Sequence, residues 1–243
     1  MINNKQKSPK QQRVFCIGWH KTGTSTLGYA LLELGYEVLG ARLDMADPLL
    51  SGDYETPLQE AGRFNAIQDV PWAALFKELD ERYPNSKFIL TVRDEQDWLK
   101  SASKHFKDTY FALHEWLYGN GVMRGNEDIY LERFRKHYRE VRAYFNNRPE
   151  DLLELNFEEG GARWEKLCGF LGEPIPNKRF PYLNRGIHNY SWKDRLRKYV
   201  KTMLPDKLLQ WRLAILVKLG LHYGSNRFNN KHQNKSYREQ KQL

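Results

Sequence analysis

The sequence predicts an α/β fold of three layers, a parallel sheet covered by helices on both faces, followed by a basic helical extension. Three observations predict it. Short apolar runs alternate with segments of helical period, a pattern that requires crossover helices between parallel strands. The clearest strand, Lys87 to Val92 (KFILTV), does not alternate, as in a strand buried on both sides. Residues 193–243 hold 13 Lys plus Arg against 3 Asp plus Glu, leaving 26 against 27 for the rest, so a body near neutrality carries a tail of about +10.

The elements follow in order. Arg13 to Gly18 reads as the first strand, and Leu27, Ala30, Leu31 and Leu34 mark a helix that stops at Gly35. Tyr36 to Gly40 is a second strand, the segment from Ala41 to Pro57 is expected to be irregular, and Ala66 to Val70 is a third strand. Pro71 opens a helix that presents Trp72, Leu75, Phe76 and Leu79 on one side and ends by Pro84. After the strand Lys87 to Val92, Asp94 is placed to cap the helix carrying Trp98 and Ser101. A longer helix is expected over about Asp128 to Asn147, then a fifth strand from Asp151 to Phe157 and a helix from Ala162 to Leu171 closed by Gly172. The spacing of Trp98, Tyr110, Phe111, Trp116 and Tyr118 favours core packing over an acceptor pocket. The chain divides into a flexible start over residues 1–12, a main domain over 13–191 and a basic amphipathic tail over 192–243.

Composition excludes several classes. Two cysteines, Cys16 and Cys168, cannot form a disulfide framework or a cysteine zinc site, and the seven histidines show no H-x-x-x-H or H-x-H pair, so no metal is expected. The longest strongly apolar stretch, Leu213 to Val217, is far short of a membrane span, and the polar start lacks the apolar core of a signal peptide. These readings imply a cytoplasmic protein, with the tail available to an anionic membrane surface.

Between the first strand and first helix lies Gly18-Trp19-His20-Lys21-Thr22-Gly23-Thr24-Ser25-Thr26. Small residues, hydroxyls, one lysine and the N–H groups of a helix start are the parts of a phosphate grip, and the fold becomes P-loop-like. Gly18 and Gly23 keep the spacing of a nucleotide-hydrolysing loop, but the position after Gly23 is Thr24 and the lysine stands inside the loop at Lys21. A triphosphate with magnesium is therefore poorly served. A ligand with a 5′-phosphate and a less charged transferable group suits the loop better.

Arg93, at the end of the clearest strand, and Ser101, two helical turns on, would form a second anion grip. The loop HKTGTST and the segment TVRDEQDWLKSAS together resemble the paired signatures of sulfotransferases that use 3′-phosphoadenosine 5′-phosphosulfate (PAPS). The likeness runs on through NAIQDVPWAALFKELDERYPNSKFILTVRD and LLELNFEEGGARWEKLCGFLGEPIPNKRFPYLN and covers roughly residues 13–185. The resemblance implies that Lys21, Thr22, Gly23, Thr24, Ser25 and Thr26 cradle the 5′-phosphosulfate, with Lys21 on the leaving oxygen, and that Arg93 and Ser101 hold the 3′-phosphate. The Arg-Lys-Gly segment that closes over the nucleotide in cytosolic members is absent, and Asn184-Arg185-Gly186 is its nearest substitute by position.

Three residues compete as general base. Asp69 follows the third strand on the rim of the loop, His20 adjoins Lys21, and Asp44 lies in the segment after the second strand. The implied reaction is transfer of a sulfuryl group to a hydroxyl or amine of a small-molecule, lipid or glycan acceptor. Two other readings stay open, a P-loop nucleotide kinase or ATPase and, less favoured, a nucleic-acid-binding protein acting through the tail.

Overall fold

The computed structural model describes residues 12–158 and 163–181. The tail over 192–243 and the segment Asn184-Arg185-Gly186 lie outside them. Five parallel strands, β1 (Val14–Cys16), β2 (Val38–Leu39), β3 (Ala66–Gln68), β4 (Lys87–Val92) and β5 (Leu152–Asn156), form one sheet in the order β2-β3-β1-β4-β5. Side chains alternate across each strand, and the alternation divides the core in two. Phe15, Ile17, Ile67, Phe88 and Leu90 face one apolar cluster; Val14, Cys16, Ala66 and Ile89 face the other.

Each cluster is closed by helices that the sequence predicts. Leu27, Ala30, Leu31 and Leu34 of α1 (Thr24–Glu33) and its end pack with Trp164, Leu167 and Leu171 of α8 (Arg163–Leu171) on one face. On the opposite face Leu131, Phe134, Tyr138, Val141 and Phe145 of α7 (Glu127–Phe145) meet Trp98, Ala102 and Phe106 of α5 (Glu95–Phe106). Burying such a side chain contributes about 1.5–3 kcal/mol, so these stripes, more than helix propensity, hold the helices down. Asp94 caps α5 as its position implies, its Oδ1 accepting from the N–H groups of Gln96 and Asp97 at 2.9 and 3.0 Å.

Three segments depart from the sequence reading. The stretch expected to be irregular carries a 3₁₀ turn (Leu43–Met45) and two short helices, α2 (Ala46–Leu50) and α3 (Glu55–Ala61), because Met45, Ala46, Leu49, Leu58 and Ala61 have core to cover. Pro71 leads into a 3₁₀ turn (Trp72–Leu75) before α4 (Phe76–Arg82) begins. The aromatic segment after α5 forms α6 (Ala112–Tyr118), which buries Leu113, Leu117 and Tyr118.

Both neighbours of β1 are strands that come later in the chain, and the path from β3 to β4 crosses over it. The loop leaving β1 therefore opens at the topological switch point, where open α/β sheets bind ligands.

Candidate active site

Gly18 leaves β1 against β4 so closely that a Cβ there would stand 1.8 Å from Thr91 Oγ1 and 2.7 Å from its backbone nitrogen. Only glycine permits that approach. Lys21 (φ 67°) and Gly23 (φ 101°) then turn the chain through the left-handed region, and α1 begins at Thr24 with no capping side chain and no acidic residue in its first turn. Such a turn at a non-glycine residue costs of order 1–2 kcal/mol, which the surrounding contacts must over-determine. A Cβ at Gly23 would also stand 2.5 Å from the Phe157 ring, beyond β5.

Four carbonyls along this turn are taken by side chains, three of them from elements behind it and one from Thr22 of the turn itself. His137 of α7 bonds Ile17 O through Nε2 at 2.7 Å, Thr22 Oγ1 donates to Trp19 O at 2.6 Å, Trp98 Nε1 of α5 donates to His20 O at 2.8 Å, and Arg93 Nη1 donates to Lys21 O at 3.0 Å. With these four acceptors occupied, the turn and the N-terminal end of α1 present N–H donors, a geometry suited to an anion. The Thr22 hydroxyl also meets Thr91 Oγ1 at 2.5 Å, so it ties the turn to β4.

Asp69 stands beside that surface. It directly follows β3 in the left-handed region (φ 75°), and its carboxylate accepts from Thr24 Oγ1 at 2.7 Å through Oδ2 and from the Val70 N–H at 2.8 Å through Oδ1. Burial raises its pKa above the ordinary carboxylate value, against the lowering influence of Thr24, Val70 and Lys21. For Lys21 the ammonium is lowered by burial and by Arg93, while Asp69 opposes the shift. A desolvated acid, a desolvated ammonium and a guanidinium thus share one rim. Titratable groups perturbed by burial and gathered at one rim are a mark of functional sites.

The remaining sequence candidates are distributed differently. His20 points into the core: its Nε2 lies 2.8 Å from Tyr118 Oη, its ring stacks on Trp98 at 5.9 Å, and it is 4% exposed. Burial holds the imidazole neutral, well below its usual pKa, and the ring braces the turn from beneath. The carboxylate of Asp44 is clamped in two bonds by Arg42, at 2.7 and 2.6 Å. Ser25 and Thr26 sit in the first turn of α1, Thr26 buried. Ser101 lies partly exposed on α5, so the structure joins Arg93 to the turn directly and Ser101 only through its helix. Sequence reasoning missed Trp98 and His137 as supports of the turn. Their apolar-face positions signalled burial, and nothing in the spacing signalled which carbonyl each would meet. Among the described residues no group of three His, Cys, Asp or Glu could hold a metal ion, and no helix is long and apolar enough to cross a membrane.

A family profile described as a sulfotransferase domain matches residues 13–120 and 103–188. The chain is also similar to a protein of Aspergillus versicolor named Ava biosynthesis cluster protein M, 27% identical over 246 residues, covering 79% of this chain and 91% of the relative.

Proposed function

We infer that this chain, which belongs to the sulfotransferase domain family, moves a sulfuryl group from PAPS to a hydroxyl or amine of its acceptor. The observation that carries the reading is the bond from Arg93 Nη1 to Lys21 O, which ties the arginine beyond β4 to the turn beyond β1 at one rim of the sheet. In this reading the turn from Lys21 to Thr26 holds the 5′-phosphosulfate, and Arg93 with Ser101 holds the 3′-phosphate.

Sulfuryl transfer is an in-line displacement that depends on alignment and on charge stabilisation. The acceptor oxygen forms a bond to sulfur while the bond from sulfur to the bridging oxygen breaks. That electron pair passes to the 5′-phosphate oxygen, where Lys21 stabilises it. Asp69 takes the acceptor's proton, and Thr24 and the Val70 N–H hold its carboxylate in place.

The acceptor we propose is a lipid or glycan hydroxyl reached at an anionic membrane surface through the basic tail over 192–243, whose charge favours such a surface.

Calorimetric titration of adenosine 3′,5′-bisphosphate with EDTA present tests the nucleotide assignment. Wild type should bind, Arg93→Ala should weaken binding at least about tenfold because an arginine–phosphate contact is charge-assisted, and Lys21→Ala should weaken it less. Equal binding by all three proteins, or binding that requires magnesium, would overturn it.

A further inference from the structure

We propose that Glu158 is a resident counter-ion of Arg93 that selectively weakens the hold on the nucleotide's 3′-phosphate; this rests on the assignment of Arg93 above.

β4 and β5 run side by side with Val92 opposite Asn156, so the residues just beyond them emerge together. Asn156 Oδ1 accepts from the Glu158 N–H at 2.9 Å and bends the chain there. As a result Glu158 Oε1 lies 3.0 Å from Arg93 Nε, while Nη1 of the same guanidinium is bonded to Lys21 O. The contact is close yet misaligned: Arg93 Nε is buried and makes no hydrogen bond. The guanidinium thus keeps an unused donor inside the site, next to a carboxylate that neutralises it without capturing the proton.

This arrangement acts differently on different ligands. An ion pair whose carboxylate side chain is 41% exposed is weak and replaceable. A 3′-phosphate offers the Nε–H an aligned acceptor with up to two negative charges, but it must either displace Glu158 or stand beside it. A nucleotide with a free 3′-hydroxyl makes no such demand and leaves the pair closed. The carboxylate therefore lowers affinity for every 3′-phosphorylated ligand, the desulfated product included, and returns to Arg93 when that product leaves.

The test is a calorimetric comparison of adenosine 3′,5′-bisphosphate and adenosine 5′-monophosphate on the full chain, as wild type, Glu158→Gln and the double variant Arg93→Ala/Glu158→Gln. The expected result is that Glu158→Gln binds the bisphosphate about twofold to fivefold more tightly, the worth of one partly exposed ion pair. Affinity for the monophosphate stays the same, and the gain disappears when Arg93 is also removed. Unchanged or weaker bisphosphate binding by Glu158→Gln would overturn the proposal, as would equal tightening of both nucleotides. Wild type that prefers the bisphosphate while Glu158→Gln shows no gain sinks this proposal alone. Wild type that does not distinguish the two nucleotides sinks the Arg93 assignment and this proposal with it.

Discussion

Thr24 Oγ1 donates to Asp69 Oδ2 across 2.7 Å, linking the first turn of α1 to the end of β3. The bond fixes a carboxylate whose neighbours on the rim are cationic, and it occupies one lone pair of Oδ2 while leaving the carboxylate able to accept a proton.

Asp69→Asn should keep nucleotide affinity within a few fold and reduce turnover by about 10²–10⁴, the usual worth of a general base. Transfer of radiolabelled sulfate from PAPS into a panel of alcohols and amines reads it. Because burial raises the carboxyl's pKa, wild-type turnover should fall with decreasing pH at a value above the ordinary carboxylate range, and this limb should vanish in the variant. Full turnover by Asp69→Asn would remove Asp69 from the mechanism.

Acid should unfold this protein through its buried imidazoles. Burial brings His114 and His137 down to about 3 from an ordinary 6.5. As pH falls below about 6.5 the unfolded chain takes up a proton at each ring and the folded chain does not. Stability is therefore complete above that value and lost towards about 3, with a slope approaching about 1.4 kcal/mol per pH unit per ring. The urea midpoint at pH 5.5 should lie clearly below that at pH 7.5. Equal midpoints would contradict the burial argument.

Deleting residues 192–243 should abolish co-sedimentation with vesicles rich in phosphatidylserine and leave adenosine 3′,5′-bisphosphate binding unchanged, since the proposed nucleotide grips lie within residues 21–101. Unaltered vesicle binding would show that the tail is not the membrane contact.

How much of this was legible before folding depends on how local each feature is. The helices α1, α5, α7 and α8, the cap at Asp94 and the strand Lys87–Val92 are set by near neighbours and were readable. The short helices α2, α3 and α6 were not, because each is a turn or two of chain that is helical only where core lies beneath it.

The order of residues determined by itself that a turn rich in glycine and threonine follows a strand and that an arginine ends another. Which side chains line the rim was decided only in three dimensions. Left-handed turns at Lys21 and Gly23 reverse the chain within three residues, so His20 drops into the aromatic core while its neighbour Lys21 remains at the rim with Asp69 and Arg93. Sequence proximity sets neither outcome, because the direction of a side chain depends on a backbone angle, and that angle is held by donors from α5, α7 and Arg93 just beyond β4, all distant along the chain.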